Sequence, residues 1–447
     1  MYGAERYQGG ARLRCDAPYV ASYSMCPQVG YGAAMSTFSE LGLAPELVAA
    51  LEAAAIHAPT PVQRLAIPAF LGGKAAIAVA RTGSGKTLAY ALPLVQRLRE
   101  VEVAEGPPTA VARPRGLVLT ATRELVNQTM RVLKTLTHAA RLRVRSVSGG
   151  ESGHDTNLTL RQVCDVLVAN PPRLARLVEE GKVDLSDVRI VVVDEADTLL
   201  APGQRPPVEA VLAAAASASP WWMSATLPEP IRQWLLARPE KPALLMSKDA
   251  HTAPDTVTVK NIPCRHASRG DAASDVLVSL GPDARGIVFA NRRETADQAA
   301  AALKERGHNV VVVHGGLLPR ERQQAIKGFL AGAGRVLVTT ELAGRGLDMK
   351  DLVFVLNYEL PERASDYIHR IGRVGRVGRA GRVFNLVTDR DRHLLADVER
   401  FASGGKLDTG EPLRNARTRK VTSAQGVREA AFRRKKAGVV KTFEGDR

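Results

Sequence analysis

Aromatic side chains are scarce in this 447-residue chain, at 4%. A protein that recognises nucleic acid by stacking bases on Phe, Tyr or Trp needs more of them, so a stacking platform is disfavoured. There are only four cysteines, Cys15, Cys26, Cys164 and Cys264, far apart and without a CxxC pair. That spacing suggests neither a disulfide framework nor a zinc site, and it fits a reducing compartment. No uninterrupted apolar run is long enough to span a bilayer, and no membrane partner is expected. The first 35 residues have no apolar signal core, and they set Arg6, Arg12 and Arg14 against Glu5 and Asp16. The expected location is intracellular, nucleus or cytoplasm, with chloroplast or mitochondrion left open should this extension act as a transit peptide.

Acidic residues are outnumbered. The chain carries 62 Lys and Arg against 46 Asp and Glu, for a net charge of +16. From Lys406 to Arg447 there are twelve basic and five acidic residues. The excess is therefore shared between tail and body, which points to a polyanionic partner whose counterions the Lys and Arg would release. The tail itself has two equal readings: it raises the local concentration of such a partner without choosing sequence, or it is a solvated, disordered end.

From Phe38 onward, short β-branched runs alternate with helical patterns. Ala75–Ala80, Gly116–Thr120, Val166–Ala169 and Arg189–Val193 read as buried parallel strands. After a polar pause the pattern restarts with Gly286–Phe289, Val310–Val313, Arg335–Thr339 and Phe354–Asn357. Such alternation implies α/β architecture with parallel sheets covered on both faces. The expected division is an extension over 1–36, a first domain over 37–247, a linker over 248–262, a second domain over 263–402 and a basic tail over 403–447. One chain is expected to act as a monomer.

The first predicted strand runs straight into Arg81-Thr82-Gly83-Ser84-Gly85-Lys86-Thr87, followed by a helical Leu88–Leu98. This is a phosphate-binding loop in strand–loop–helix context. Its glycines let backbone N–H groups curl around phosphate oxygens, and the new helix adds its positive end. Lys86 can reach the β- and γ-phosphates, and the Thr87 hydroxyl can hold Mg²⁺. A second strand delivers Asp194-Glu195-Ala196-Asp197 at its C-terminal end, where α/β folds collect ligands. Asp194 can hold the Mg²⁺ through water, and Glu195 can orient and deprotonate the attacking water. Alone, that tetrapeptide reads as an acidic helix cap; with the phosphate loop upstream, it reads as the other half of a phosphoryl-transfer site.

These residues and their surroundings, from about Phe38 to Leu386, resemble the DEAD-box group of helicase superfamily two. The resemblance implies two tandem RecA-like domains with a nucleotide cleft between them, ATP and Mg²⁺ as cofactors, and RNA as partner. It implies an RNA-stimulated ATP hydrolase that unwinds short duplexes or remodels ribonucleoproteins, ribosome assembly among them. Ala58-Pro59-Thr60-Pro61-Val62-Gln63 resembles the Q motif, in which Gln63 would read the adenine edge and Phe38 would pack on the ring. Thr122-Arg123-Glu124-Leu125, Gly149-Gly150 and Pro171-Pro172-Arg173 resemble motif Ia, the glycine doublet and motif Ib. The resemblance makes Arg123, Gly150 and Arg173 contacts to the RNA backbone. Ser224-Ala225-Thr226 resembles motif III, so Ser224 and Thr226 would couple the nucleotide site to RNA.

In the second half, Val288-Phe289-Ala290-Asn291 resembles motif IV. His314-Gly315 with Arg322 resembles the segment after it, and Thr340–Asp348 resembles motif V. Arg322 and Thr340 would touch RNA, and Asp348 would help organise the nucleotide. Tyr367–Arg376 resembles motif VI, with His369 a coupling residue alongside Ser224 and Thr226, and Arg373 and Arg376 as arginine fingers on the γ-phosphate. The chain departs from the family pattern at five positions. Ala121 stands for the proline of motif Ia, and Asn170 and Pro172 for the threonine and glycine of motif Ib. Pro319 replaces a glutamine, and Glu341 the aspartate of motif V. None touches Lys86, Asp194, Glu195, Arg373 or Arg376. Two other readings stay open: an ATP-gated RNA clamp without useful unwinding, and a DNA helicase.

Overall fold

The computed structural model describes residues 37–402, apart from 150–152, 249, 251, 253–255, 342–348, 350–351 and 376–378. The expected contributions of Gly150, Asp348 and Arg376, and of the N-terminal extension and basic tail, lie outside the described residues.

Among the described residues, thirteen strands form two sheets. Seven belong to the first: β1 (Ala76–Val79), β2 (Gly116–Leu119), β3 (Val144–Val147), β4 (Val166–Ala169), β5 (Ile190–Val193), β6 (Ser219–Ser224) and β7 (Ala243–Met246). Six belong to the second: β8 (Val257–Pro263), β9 (Gly286–Ala290), β10 (Val310–Val313), β11 (Val336–Thr340), β12 (Phe354–Asn357) and β13 (Gly381–Val387). The strand orders are β3-β4-β2-β5-β6-β1-β7 and β10-β11-β9-β12-β13-β8. Every recorded pairing is parallel, as expected when helices separate successive strands.

The alternation of side chains along each strand feeds two cores per sheet. Ala76 and Ala78 face one core with Leu47, Phe70 and Val95, while Ile77 and Val79 face the other with Leu174, Val208 and Trp222. In the second sheet Ile287 and Phe289 pack with Tyr367 and Leu394, and Val288 and Ala290 with Ala299 and Leu303. Strands buried on both faces read as unbroken apolar runs, and all eight strands expected from such runs are present within one residue of their expected ends. Beyond these, β3, β6, β7, β8 and β13 add strands. The stretch 248–262, expected as linker, is in its second half the strand β8, paired along β13 from Val257↔Gly381 to Pro263↔Val387.

The order of the first sheet divides its C-terminal edge into two working halves. The phosphate loop follows β1, Asp194-Glu195 follows β5, and motif III lies at the end of β6. These three strands are neighbours. The loops expected to hold RNA follow β2, β3 and β4, which are also neighbours.

Candidate nucleotide and RNA site

The phosphate loop lies between β1 and the helix Lys86–Glu105. Gly83 and Gly85 have φ of 76° and 90°, left-handed values that a side chain resists. A Cβ at Gly85 would also stand 2.6 Å from Gln63 Nε2. The hydroxyls of Thr82 and Ser84 are buried here without a hydrogen-bond partner. Buried polar groups are rarely left unsatisfied, so two such hydroxyls in one loop fit a site built for phosphate oxygens. The Lys86 ammonium donates to the carbonyls of Ala80 (2.8 Å) and Arg81 (3.0 Å). Burial lowers its pKa, opposed by Asp194, Asp197 and Glu195, with Arg373 adding to the lowering from the second domain.

Asp194 is buried beside that ammonium. Desolvation and the neighbouring Glu195 push its carboxyl up to about 6, against the pull of Lys86. It accepts hydrogen bonds from the Glu195 amide (2.9 Å) and the Tyr90 hydroxyl (3.1 Å). Tyr90 lies 3.4 Å from the Thr129 hydroxyl and so joins Asp194 to the helix Arg123–Ala139. Burial raises the Tyr90 pKa well above its ordinary value, which keeps it a donor. Thr87 and Asp194 offer hard oxygens suited to Mg²⁺, and a divalent cation would relieve the desolvation of Asp194. Glu195 is left-handed, with φ 53° and ψ 50°, and its Oε2 is buried without a partner. A non-glycine residue held there is strained, and such strain collects at active sites.

The Q motif is placed differently from expectation in one respect. Gln63 Oε1 accepts from the Thr60 amide (2.9 Å), and Nε2 donates to the Gly85 carbonyl (3.1 Å). Each end of the amide keeps one further hydrogen-bonding valence for a base. Phe38, expected on the adenine ring, is only 3% exposed and belongs to the first core with Leu41 and Leu43.

Asp197, the last residue of the acidic tetrapeptide, joins motifs that are far apart in sequence. Its Oδ2 accepts from the Thr226 hydroxyl, from the Thr226 amide (3.2 Å) and, across the cleft, lies 3.1 Å from His369 Nε2. The Asp197 amide donates to Ser224 Oγ (3.2 Å), whose own proton goes to the Thr226 carbonyl (2.6 Å). Ser224, Thr226 and His369 are thus brought together as expected, on a carboxylate the motifs alone gave no role. His369 is 2% exposed, and Arg373 donates Nε to its carbonyl at 3.2 Å.

Arg370 is a buried structural hub. It donates to Glu341 (2.9 Å), Asn291 (2.8 Å), Asn357 (3.2 Å) and the Glu359 carbonyl (2.8 Å), over the Phe289 ring. Motifs IV, V and VI converge on it, and the Glu341 departure keeps its carboxylate there.

On the other half of the edge, Thr122 caps the motif Ia helix by accepting from the Leu125 amide at 3.2 Å. Arg123 is half-buried beside it. Arg173 donates to Thr156 at 3.1 Å and is also half-buried, as is Thr340 at the end of β11. Arg322, expected on RNA, here reaches across the cleft to Glu124 at 3.5 Å and stays about a quarter exposed. No helix among the described residues is long and apolar enough to cross a membrane.

Comparison with known proteins agrees with this geometry. Residues 60–234 match the DEAD/DEAH box helicase family and residues 270–378 the helicase conserved C-terminal domain. The chain is 35% identical over 367 residues to the RNA helicase CrhR of Synechocystis, covering 81% of this chain and 72% of that one. It is 34% identical over 417 residues to the ATP-dependent RNA helicase dbp8 of Aspergillus niger, covering 89% and 77%. Among solved structures, Saccharomyces cerevisiae Dbp5 bound to RNA and ADP BeF3 superposes with a TM-score of 0.73 at 27% identity, over 83% of this chain and 95% of that one. With both family domains in order and relatives at about a third identity along most of its length, the chain belongs to the DEAD-box ATP-dependent RNA helicases.

Proposed function

We propose that this helicase holds ATP with Mg²⁺ between the phosphate loop and motif VI, grips RNA by its backbone along the ends of β2, β3 and β4, and hydrolyses ATP only when closed. The observation that carries this reading is the Asp197–His369 contact, which ties the acidic motif of one domain to the arginine-bearing motif of the other. Thr87 and Asp194 are the residues to hold Mg²⁺, which when bound neutralises charge on the phosphates. Lys86 binds the phosphate chain, and Glu195 takes the proton of the attacking water. Arg373, brought to the Lys86 side by closure, stabilises charge on the transferred group, with Arg376 as its partner. Backbone contacts give little sequence preference, and 2′-hydroxyl contacts favour RNA over DNA.

Release of the cleaved phosphate removes the ligand bridging the domains and lets RNA go. The substrates are short duplexes and ribonucleoproteins, with ribosome assembly as the pathway proposed. The test is ATP turnover with and without RNA for the native chain, Lys86→Ala and Glu195→Gln. Absent RNA stimulation, or unchanged rates in the two variants, would sink the mechanism.

A second reading, an ATP-gated clamp, is favoured by exposed Pro172 where the family has a flexible glycine. A clamp would hold RNA with a non-hydrolysable ATP analogue and release no strand during turnover.

A further inference from the structure

The motif Ib departures, Asn170 and Pro172, form one device. Asn170 follows β4, which lies between β3 and β2 in the sheet. It stands at the N-cap of the helix Pro171–Glu179, yet its side chain makes no capping bond. An N-cap side chain normally accepts from the amide of the second or third helical residue. Here the second is Pro172, which has no N–H to give. The amide of Asn170 is turned sideways instead. Its Nδ2 donates to the Thr120 carbonyl at 2.9 Å, directly after β2. Its Oδ1 accepts from the Gly149 amide at 3.3 Å, two residues past the end of β3. A carbonyl on one side and an N–H on the other fix which end of the amide is which. The residue is 9% exposed; its bond to Thr120 is buried and its bond to Gly149 part-buried.

We infer that Asn170 is a positioning residue for RNA, a strut that sets the spacing of the motif Ia loop and the glycine doublet. A threonine there carries its hydroxyl directly on Cβ, one atom short of the amide's reach, and has a single proton. It suits capping the helix or touching a phosphate, whereas Asn170 spends its polarity within the protein. The chain gives up one contact to the nucleic acid and gains a preordered loop pair, which lowers the entropy cost of binding.

The inference rests on the assignment of these loops to the RNA path, and the test separates the two. Hydrogen exchange is measured in the RNA-free protein over peptides 120–125 and 145–149, together with the RNA concentration that half-saturates the ATPase. Asn170→Ala speeds exchange in both peptides and raises the half-saturating RNA about ten-fold, with kcat at saturating RNA much less affected. Asn170→Asp keeps the acceptor and loses the donor, so exchange quickens in 120–125 and not in 145–149. This near-isosteric variant keeps the test alive should the alanine protein fold poorly. Asn170→Thr behaves like the alanine variant. Unchanged exchange in all variants, or a threonine variant equal to the native chain in both measurements, overturns the strut. If exchange quickens and RNA half-saturation stays put, the role in RNA binding is overturned. In that case Arg123→Ala and Arg173→Ala show whether the RNA path was also misassigned: it was if they too are silent.

Discussion

Replacing Gly372 with alanine should block closure while leaving both domains folded. Gly372 ends the helix Ala364–Ile371 with φ −62°, a conformation any residue adopts, so its own backbone needs no glycine. The obstacle lies across the cleft. A methyl group at Gly372 would overlap the Thr82 hydroxyl and come within 2.6 Å of Thr82 Cβ. Restoring an ordinary carbon–carbon contact requires the second domain to withdraw by roughly 1 Å. His369, on the same helix, lies 3.1 Å from Asp197, and a retreat of that size takes the pair beyond hydrogen-bonding distance. Losing a hydrogen bond to a charged acceptor costs about 1.5–3 kcal/mol, or roughly 10–150-fold in the closed population. The assay is RNA affinity with and without a non-hydrolysable ATP analogue. The ratio measures coupling between the two ligands and should fall by that factor, while thermal melting stays near native. Native-like coupling in Gly372→Ala would refute the idea that this closed arrangement is the productive one.

Three further outcomes are expected. Arg322→Glu should weaken nucleotide-dependent RNA binding several-fold and Glu124→Arg with Arg322→Glu should partly restore it; the pair is 3.5 Å apart and about a quarter exposed, so about 0.5–1 kcal/mol is at stake and salt should shrink the effect. Glu195→Gln should cut turnover at least about 100-fold, while Glu195→Asn should do the same and raise the melting temperature slightly, because asparagine tolerates the left-handed backbone; a variant melting below the native chain would argue that Glu195 is not strained. Burial pushes the Cys164 thiol up to about 11, so at pH 8 only about one in a thousand is thiolate, and a thiol reagent followed by peptide mapping should find Cys164 labelled only on unfolding; fast labelling of Cys164 itself in the native chain would contradict its burial.

The strands of both sheet centres were legible because burial on two faces leaves unbroken runs such as Ile190–Val193. The strands that were not legible break that rule. β3 contains Arg145 and Ser146, and β6 opens with Ser219-Pro220. β7 and β8 close the sheets as edge strands: β8 mixes Thr258, Lys260 and Asn261 among its apolar residues, and β7, though apolar, is largely exposed, with Leu244 and Met246 open to solvent. The phosphate loop and acidic motif were legible because phosphate chemistry demands fixed residues in local order. What escaped was pairwise and distant. Tyr90 meets Asp194 across 104 residues, Asp197 meets His369 across 172, and Glu124 meets Arg322 across 198. No local spacing encodes such contacts; only the folded sheets and a closed cleft create them. Phe38 shows the converse: an aromatic ahead of the Q motif is equally fit for a base or for a core, and here it is buried in the first core.

On the proposed assignment the nucleotide and RNA sites lie side by side on one sheet edge, with an energetic consequence. The second domain touches the first on both halves, through His369–Asp197 beside the nucleotide motifs and through Arg322–Glu124 on the motif Ia helix. Either ligand alone helps to draw the same rigid domain inward, so the contacts made by one become cheaper for the other. The coupling must then be reciprocal: RNA tightens ATP by the factor with which ATP tightens RNA. The first domain also carries a direct link, since Tyr90 joins Asp194 to Thr129 in the motif Ia helix. Two routes carry the coupling, one through closure and one within the first sheet. Variants at Gly372 remove only the former, so whatever coupling survives there measures the latter.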